Sequence, residues 1–278
     1  RLSPDVLILQ RQLSWDQINV MEEYLKYTKA FRVYELDDLI TNVQVSNKLR
    51  KNVASKDLTK RFRKALSLCD RFIVATDYLA QEYHSFHSDI RVVPNYIEGA
   101  VWGDLTSNRR QGRKPRVGWA GSVSHDGDLA IIKDVVLATK DEVEWVFMGL
   151  CPEGVRQFVE YKASVSIEDY PKKLASLNLD LAIAPLEDVP FNHAKSHLRL
   201  LEYGILGWPV ICTDLTPYRG DFPVTHVKNR HKDWVNAIRE QVSDMDALAA
   251  QGDVLRAHIR RHWLLEDNLD RWLKAWLP

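Results

Sequence analysis

Three charged residues share one line of an otherwise apolar stretch, FNHAKSHLRLLEYGILGWPVICTD, residues 191–214. The stretch reads as a helix over 196–206 followed by a buried strand over 209–214. At 100° per residue, Lys195, Arg199 and Glu202 fall within about 60° of arc, beside a stripe of Leu198, Leu201 and Ile205. Leu200 and Tyr203 lie on other sides, and a helix apolar nearly all round is a buried one. Buried charge without a partner is costly, so this line must face a cleft or a ligand. Cations in the first turn also oppose the helix macrodipole, at about 0.3–1 kcal/mol each. A diphosphate reverses that balance, because the N-terminal amides, the Ser196 hydroxyl and both cations favour it. Glu202, a turn deeper, can accept hydrogen bonds from two vicinal hydroxyls, as acidic residues do for a ribose. Diphosphate followed by ribose is the outline of a nucleoside diphosphate. The plainer reading is a solvated i,i+3 ion pair of Arg199 and Glu202 beside Lys195; it leaves the apolar faces unexplained.

Short apolar strands alternate with amphipathic helices along the 278 residues. Strands are expected at 5–10, 31–36, 71–76 and 90–95, then at 116–122, 144–150, 164–167, 179–185, 209–214 and 223–227. Helices are expected at 15–28, 56–68, 128–139, 169–177, 196–206, 231–261 and 264–277. Near-continuous apolar strands separated by helices predict an α/β fold of parallel sheets with helices on both faces. The polar, breaker-rich stretch GDLTSNRRQGRKP, 103–115, reads as a linker. The expected organisation is a Rossmann-like domain over 1–102, the linker, a second over 116–262, and a final helix over 263–278 returning to the first. With about four strands the first domain is small or incomplete beside the usual six or so, so βα units preceding Arg1 are expected to be missing, or the domain is unusually short. The chain lacks an initiator Met, as a processed or excised piece would.

Composition narrows the function. Lys plus Arg and Asp plus Glu number 38 each, so no overall field points to nucleic acid. Cys69, Cys151 and Cys212 are scattered, which predicts reduced thiols in a cytoplasmic protein rather than a disulfide or metal framework. No apolar run reaches the roughly 20 residues of a membrane span, and RLSPDVLILQ reads as a strand rather than a signal peptide.

The segment AKSHLRLLEYGILGWPVICTD resembles the donor-site helix of the retaining GT-B glycosyltransferases, in particular the large family 4 that builds bacterial polysaccharides such as O-antigens. In that family a Glu on this helix, followed by Gly-x-Pro-Val, holds the ribose of a nucleotide sugar; Glu202, Gly207, Pro209 and Val210 match. Many members carry a second Glu eight residues earlier, and here that position is Ala194, so Lys195 or a main-chain group is expected at the sugar instead. VGWAGSVSHDGDL, 117–129, resembles the glycine-containing loop of the nucleotide domain, with Gly121 and Ser122 letting amides approach phosphate. His125 and Asp128 resemble a His-x-x-Asp found in a subset of polysaccharide transferases, where the His donates to sugar or phosphate; a loop His paired with a helix-capping Asp explains them equally well. VVPNYIE, 92–98, resembles the end of the first domain, and 264–277 the helix that crosses back onto it, with Trp272 and Trp276 as packing anchors.

Asp37 and Asp38 end a strand, the edge that faces ligands in such sheets. They are expected on the acceptor side, Asp38 as the best candidate for a base, or else as turn caps. Tyr170 is a candidate to stack on the nucleobase. The basic stretch 47–66 has an apolar stripe of Leu58, Phe62, Ala65 and Leu66; it is a solvated helix or a contact with an anionic membrane surface or lipid-linked acceptor. The expectation is a transferase, cytoplasmic or peripheral on the inner face of the membrane, that moves a sugar from a nucleotide-diphosphate sugar to a glycan or lipid-linked glycan hydroxyl, with retention, no metal and no other cofactor. A catalytically idle sugar-nucleotide-binding module and a non-hydrolysing nucleotide-sugar epimerase are the alternatives; product analysis with donor alone separates the enzymes.

Overall fold

The structure, a computed structural model, describes residues 3–41, 57–112, 114–122 and 125–278. In chain order its elements are β1 Val6–Gln10, α1 Trp15–Leu25, β2 Phe31–Leu36, α2 Leu58–Ser67, β3 Arg71–Val74, α3 Asp77–Glu82, β4 Ile90–Val92 and α4 Gly99–Trp102. There follow β5 Arg116–Ala120, α5 Asp126–Ala130, α6 Lys133–Thr139, β6 Glu144–Met148, β7 Glu160–Lys162, α7 Tyr170–Ala175, β8 Leu181–Ala184, α8 Pro190–His193 and α9 Leu198–Ile205. The last are β9 Val210–Thr213, β10 Thr225–Val227, α10 His231–Val242, α11 Met245–His262 and α12 Leu269–Trp276. The chain divides into two compact units, one of Arg1–Asn95, Val189–Ser196 and Asn268–Pro278, the other of Tyr96–Asp188 and His197–Asp267.

The first unit is built on a parallel sheet in the order β1-β2-β3-β4. Helix α1 starts where Ser14 and Gln17 form a reciprocal capping box. The predicted stripe of α2 holds: Leu58, Phe62, Ala65 and Leu66 are all buried, packed with Tyr34, Phe72 and Tyr83. The basic residues of 47–56 lie outside the described part of the chain. Helix α12 ends on the sheet, where Arg71 donates to the carbonyls of Ala275 (2.9 Å) and Leu277 (2.6 Å), oxygens a helix C-terminus leaves open. The Trp276 indole donates to Glu35 Oε1 at 2.6 Å.

Segment 189–196 packs in the same unit. Phe191 and Ala194 join its apolar core, His193 stacks on Tyr78 at 5.7 Å, and the Thr76 hydroxyl donates to Ala194 O at 3.1 Å.

The second unit has six parallel strands in the order β10-β9-β8-β5-β6-β7. Its inner strands are apolar on both faces, as a sheet covered by helices requires: every residue of β8 and β9 is buried. Three expectations need correcting, the first being the helix expected over 128–139, which is broken into Asp126–Ala130 and Lys133–Thr139. The strand expected at 164–167 lies at Glu160–Lys162 instead, because Glu160 pairs with Arg116 and the Tyr161 hydroxyl reaches Gly149 O, while Ile167 is 82% exposed. The helix expected over 231–261 is two, because the Asp244 carboxylate caps a new start by accepting from the amides of Asp246 and Ala247. Among the described residues no helix is long and apolar enough to cross a membrane.

Helices α9 and α11 approach through glycines. A Cβ on Gly252 would stand 2.1 Å from Gly207 O and 2.8 Å from Pro209 Cδ. The obstacle is backbone, so it cannot swing aside, and Gly207 itself holds φ +78° in the turn that leads into β9. Gly252→Ala is therefore expected to destabilise by about 1–3 kcal/mol, despite the roughly 1 kcal/mol that alanine normally gains over glycine in a helix. Thermal unfolding reads this as a Tm lowered by about 2–4 °C per kcal/mol; an unchanged or raised Tm contradicts the close contact.

Candidate functional site

In the second sheet β5 lies between β8 and β6, so the strand order reverses there. Crevices for ligands open outside the carboxyl ends of strands at such a point. The loops after β5 and β8 meet at it: Asp128 Oδ1 accepts from the Glu187 amide at 2.7 Å. Asp128 Oδ2 lies 2.6 Å from His125 Nδ1, and both side chains are buried.

Arg199, on the first turn of α9, reaches the same point. Its Nη1 donates to Ala120 O, the last carbonyl of β5, and to the Tyr203 hydroxyl at 3.1 Å. Its Nη2 lies 3.2 Å from His125 Nε2. Its carbon rests 5.0 Å from the centre of the Trp119 ring, a cation–π contact. The Tyr203 hydroxyl ties the far side down by accepting from the Ala120 amide at 3.0 Å. Arg199 as a whole is partly buried, its guanidinium anchored by these contacts. Among the described residues no side chain caps α9, whose first turn carries no acid; the Leu200 and Leu201 amides turn back to His197 O, so an anion there would meet the amides that precede them.

Glu202, one turn on, is held by the Tyr170 hydroxyl, which donates to its Oε2 at 3.0 Å. Burial raises the Glu202 pKa, opposed by the Arg199 charge and the Tyr170 bond. Burial also lifts the Tyr170 phenol well above its ordinary value, so it stays a neutral donor. The sign gives a pH dependence: Glu202 takes up a proton at higher pH than an ordinary carboxylate, and a protonated Glu202 accepts hydroxyl hydrogen bonds poorly. Nucleotide affinity is expected to fall on acidification before the usual carboxylate range is reached. Calorimetric titration at stepped pH should show that fall in the wild type and a flatter profile in Glu202→Gln; identical profiles contradict the assignment.

Several expected site residues are placed differently. Helix α9 begins at Leu198, so Lys195 and Ser196 precede it and the three charges do not share one helical line. Lys195 belongs to the first unit, its ammonium 4.8 Å over the Phe191 ring, and Ser196 accepts there from Asn95 Nδ2 at 2.9 Å. The Gly121 amide is already spent on Met148 O at 3.0 Å, so it is not a phosphate donor here. Gly121 matters as space: a Cβ there would stand 2.6 Å from the Trp119 ring and 3.0 Å from Arg199 Nη2. Ser122 is exposed on the same loop, its carbonyl accepting from the His125 amide at 3.3 Å. Asp128 pairs with His125 as one reading anticipated, yet from the first turn of α5 rather than as its cap. Tyr170 spends its hydroxyl on Glu202 and sets its ring edge-on to Trp102 at 6.2 Å. In the first unit Arg11 engages Asp37 at 3.3 Å and also Asp38.

Tyr203 and Trp119 were not singled out from sequence. Both sit in apolar runs where an aromatic residue reads as core, and nothing there signals a hydroxyl or ring turned to a guanidinium. Among the described residues no group of three or more His, Cys, Asp or Glu could hold a metal ion.

No family model matches the chain. A curated protein of Bacillus subtilis (strain 168), named "Putative teichuronic acid biosynthesis glycosyltransferase TuaH", is 24% identical over 258 residues. The match takes in 81% of this chain and 60% of that protein's length. Among solved structures, Anabaena HepE in complex with UDP and glucose superposes with a TM-score of 0.69 at 12% identity, over 96% of this chain and 77% of its own. The catalytic domain of starch synthase IV from Arabidopsis thaliana, bound to ADP and acarbose, gives 0.68 at 10% identity, over 99% and 72%. TarM gives 0.66 at 15% identity, over 97% and 54%. The chain has the α/β fold of these proteins, the GT-B fold that its sequence anticipated.

Proposed function

We propose that this chain is the sugar-transferring part of a glycosyltransferase that uses a nucleotide-diphosphate sugar, with the diphosphate on Arg199 and the uncapped start of α9 and the ribose on Glu202. One observation carries the reading: a guanidinium fixed by Ala120 O, Tyr203 and His125, one helical turn from a carboxylate, at the reversal point of a parallel sheet. The fold shared with HepE, solved with UDP and glucose, and with a starch synthase domain, solved with ADP and acarbose, supports the ligand class. The related protein's name, a glycosyltransferase of teichuronic acid biosynthesis, supports a glycan hydroxyl as acceptor.

Chemically, cleavage of the sugar–phosphate bond leaves negative charge on the departing diphosphate. A preorganised cation and helix amides meet that charge at small reorganisation cost, a contribution of about 3–4 kcal/mol per well-placed donor. Retention of configuration follows from attack on the face the phosphate leaves, with the phosphate oxygen taking the acceptor's proton. The reading depends on neither Lys195 nor Asp38, which belong to the first unit. A peripheral membrane location and a lipid-linked acceptor belong to the same reading.

A thermal-shift screen of UDP, GDP, dTDP, ADP and CMP with their sugars tests it, because a ligand bound at 100 times its Kd stabilises by about 2.7 kcal/mol. One nucleoside diphosphate is expected to raise Tm and its sugar to be consumed with a glycan acceptor. No shift with any of them contradicts the proposal.

A further inference from the structure

We infer that His125 is a positioning residue for Arg199, acting as a hydrogen-bond acceptor and not as a donor to substrate. The inference rests on the reading above, that Arg199 holds the diphosphate.

The argument is a count of donors and acceptors. A guanidinium has only N–H donors. Arg199 Nη2 stands 3.2 Å from His125 Nε2, so that ring nitrogen must present its lone pair. The proton of the neutral ring is then on Nδ1, which faces Asp128 Oδ2 at 2.6 Å. Asp128 is fixed in turn, because its other oxygen accepts the Glu187 amide. Donors converge on Asp128 from two sides, the Glu187 amide onto one oxygen and His125, itself accepting from the guanidinium, onto the other. Asp128 sets the tautomer in the way a carboxylate sets that of a metal-bound or catalytic imidazole. The ring is also held edge-on to Trp119 at 5.6 Å, the indole that Arg199 lies over. With Nη1 on Ala120 O and Tyr203 and Nη2 on His125, the plane of the guanidinium is set from two sides.

Asp128→Asn is the discriminating change, since both Asp128 oxygens accept. An Asn has one acceptor and one donor end. If its oxygen keeps the Glu187 amide, its NH2 meets His125 Nδ1 and drives the ring proton to Nε2, a donor facing a donor. If its oxygen keeps His125, its NH2 faces the Glu187 N–H. Either arrangement breaks this set of bonds with almost no change of shape.

The experiment measures affinity for UDP, GDP, dTDP and ADP in parallel by calorimetry, with the histidine ring nitrogens of the free protein observed by 15N NMR. In the wild type, His125 Nε2 should carry the signal of an unprotonated nitrogen. Asp128→Asn and His125→Leu should each weaken the best-binding nucleotide about ten- to a hundredfold, the scale of a hydrogen bond to a charged group. In His125→Gln the amide oxygen can replace Nε2 as acceptor, and most of that loss should be recovered. Circular dichroism and Tm of each variant separate misfolding from misplacement, and the wild-type NMR signal needs no variant. A proton on Nε2 in the wild type overturns the inference. So does loss of binding in Arg199→Ala with none in His125→Leu, and that result leaves the diphosphate reading standing. Unaltered binding in Arg199→Ala removes the diphosphate reading and the positioning role with it.

Discussion

Arg199→Ala is expected to lower sugar-transfer turnover by about a hundred- to a thousandfold, the cost of deleting one preorganised donor to developing charge. The loss should fall on kcat more than on the donor KM, because charge on the diphosphate grows as the glycosidic bond breaks. The fold should survive. The groups left behind are one backbone carbonyl, one tyrosine hydroxyl and one imidazole nitrogen; the carbonyl still has the Tyr203 hydroxyl as a donor at 3.3 Å, and water in the vacated space can serve the others. Arg199→Lys is not a rescue: an ammonium cannot reach Ala120 O, Tyr203 and His125 in one plane and still face a phosphate. Steady-state rates with the donor found in the screen decide it; turnover within a few-fold of the wild type rejects the assignment.

Glu202→Ala is expected to weaken nucleotide binding by about ten- to a hundredfold, from the loss of charged hydrogen bonds to ribose hydroxyls. Among its described bonds only Oε2 is engaged, by Tyr170, so Oε1 is the oxygen to meet the sugar. The distinguishing probe is the 2′-deoxy analogue of the nucleotide that binds. The wild type should prefer the ribonucleotide, and Glu202→Ala should bind both alike. A preference that persists in the variant places the ribose elsewhere.

Much of this site is legible in the order of residues, and the reasons for the rest are physical. Arg199 and Glu202 stand out because charge inside an apolar helical stretch needs a partner, and each has one, Arg199 in His125 and Glu202 in Tyr170. Lys195 was grouped with them by helical geometry that begins three residues too early. Ser196, the one favoured cap residue among Ala194 to His197, has its hydroxyl accepting from Asn95 Nδ2 instead, and no side-chain cap forms at His197. The departure of 189–196 into the first unit rests on His193 and Ala194 meeting Tyr78 and Thr76, more than a hundred residues away. No local pattern records such an encounter. Gly121 reads as a residue whose amide approaches phosphate, yet that amide closes the end of β6 while the bare Cα makes room for Trp119 and Arg199. The parallel strands themselves were plain, since apolar runs bounded by turn residues survive any packing. The exception is β7, where half-buried polar residues form the strand and the more apolar 164–167 lies exposed.

The most direct measurement is a thermodynamic cycle: calorimetric affinities of the nucleoside diphosphate that binds and of its monophosphate, for the wild type and Arg199→Ala. If the β-phosphate rests on this guanidinium, the diphosphate binds the wild type at least about tenfold more tightly than the monophosphate, and the gap closes in the variant. The same gap in both proteins places the phosphate on other groups and contradicts the account.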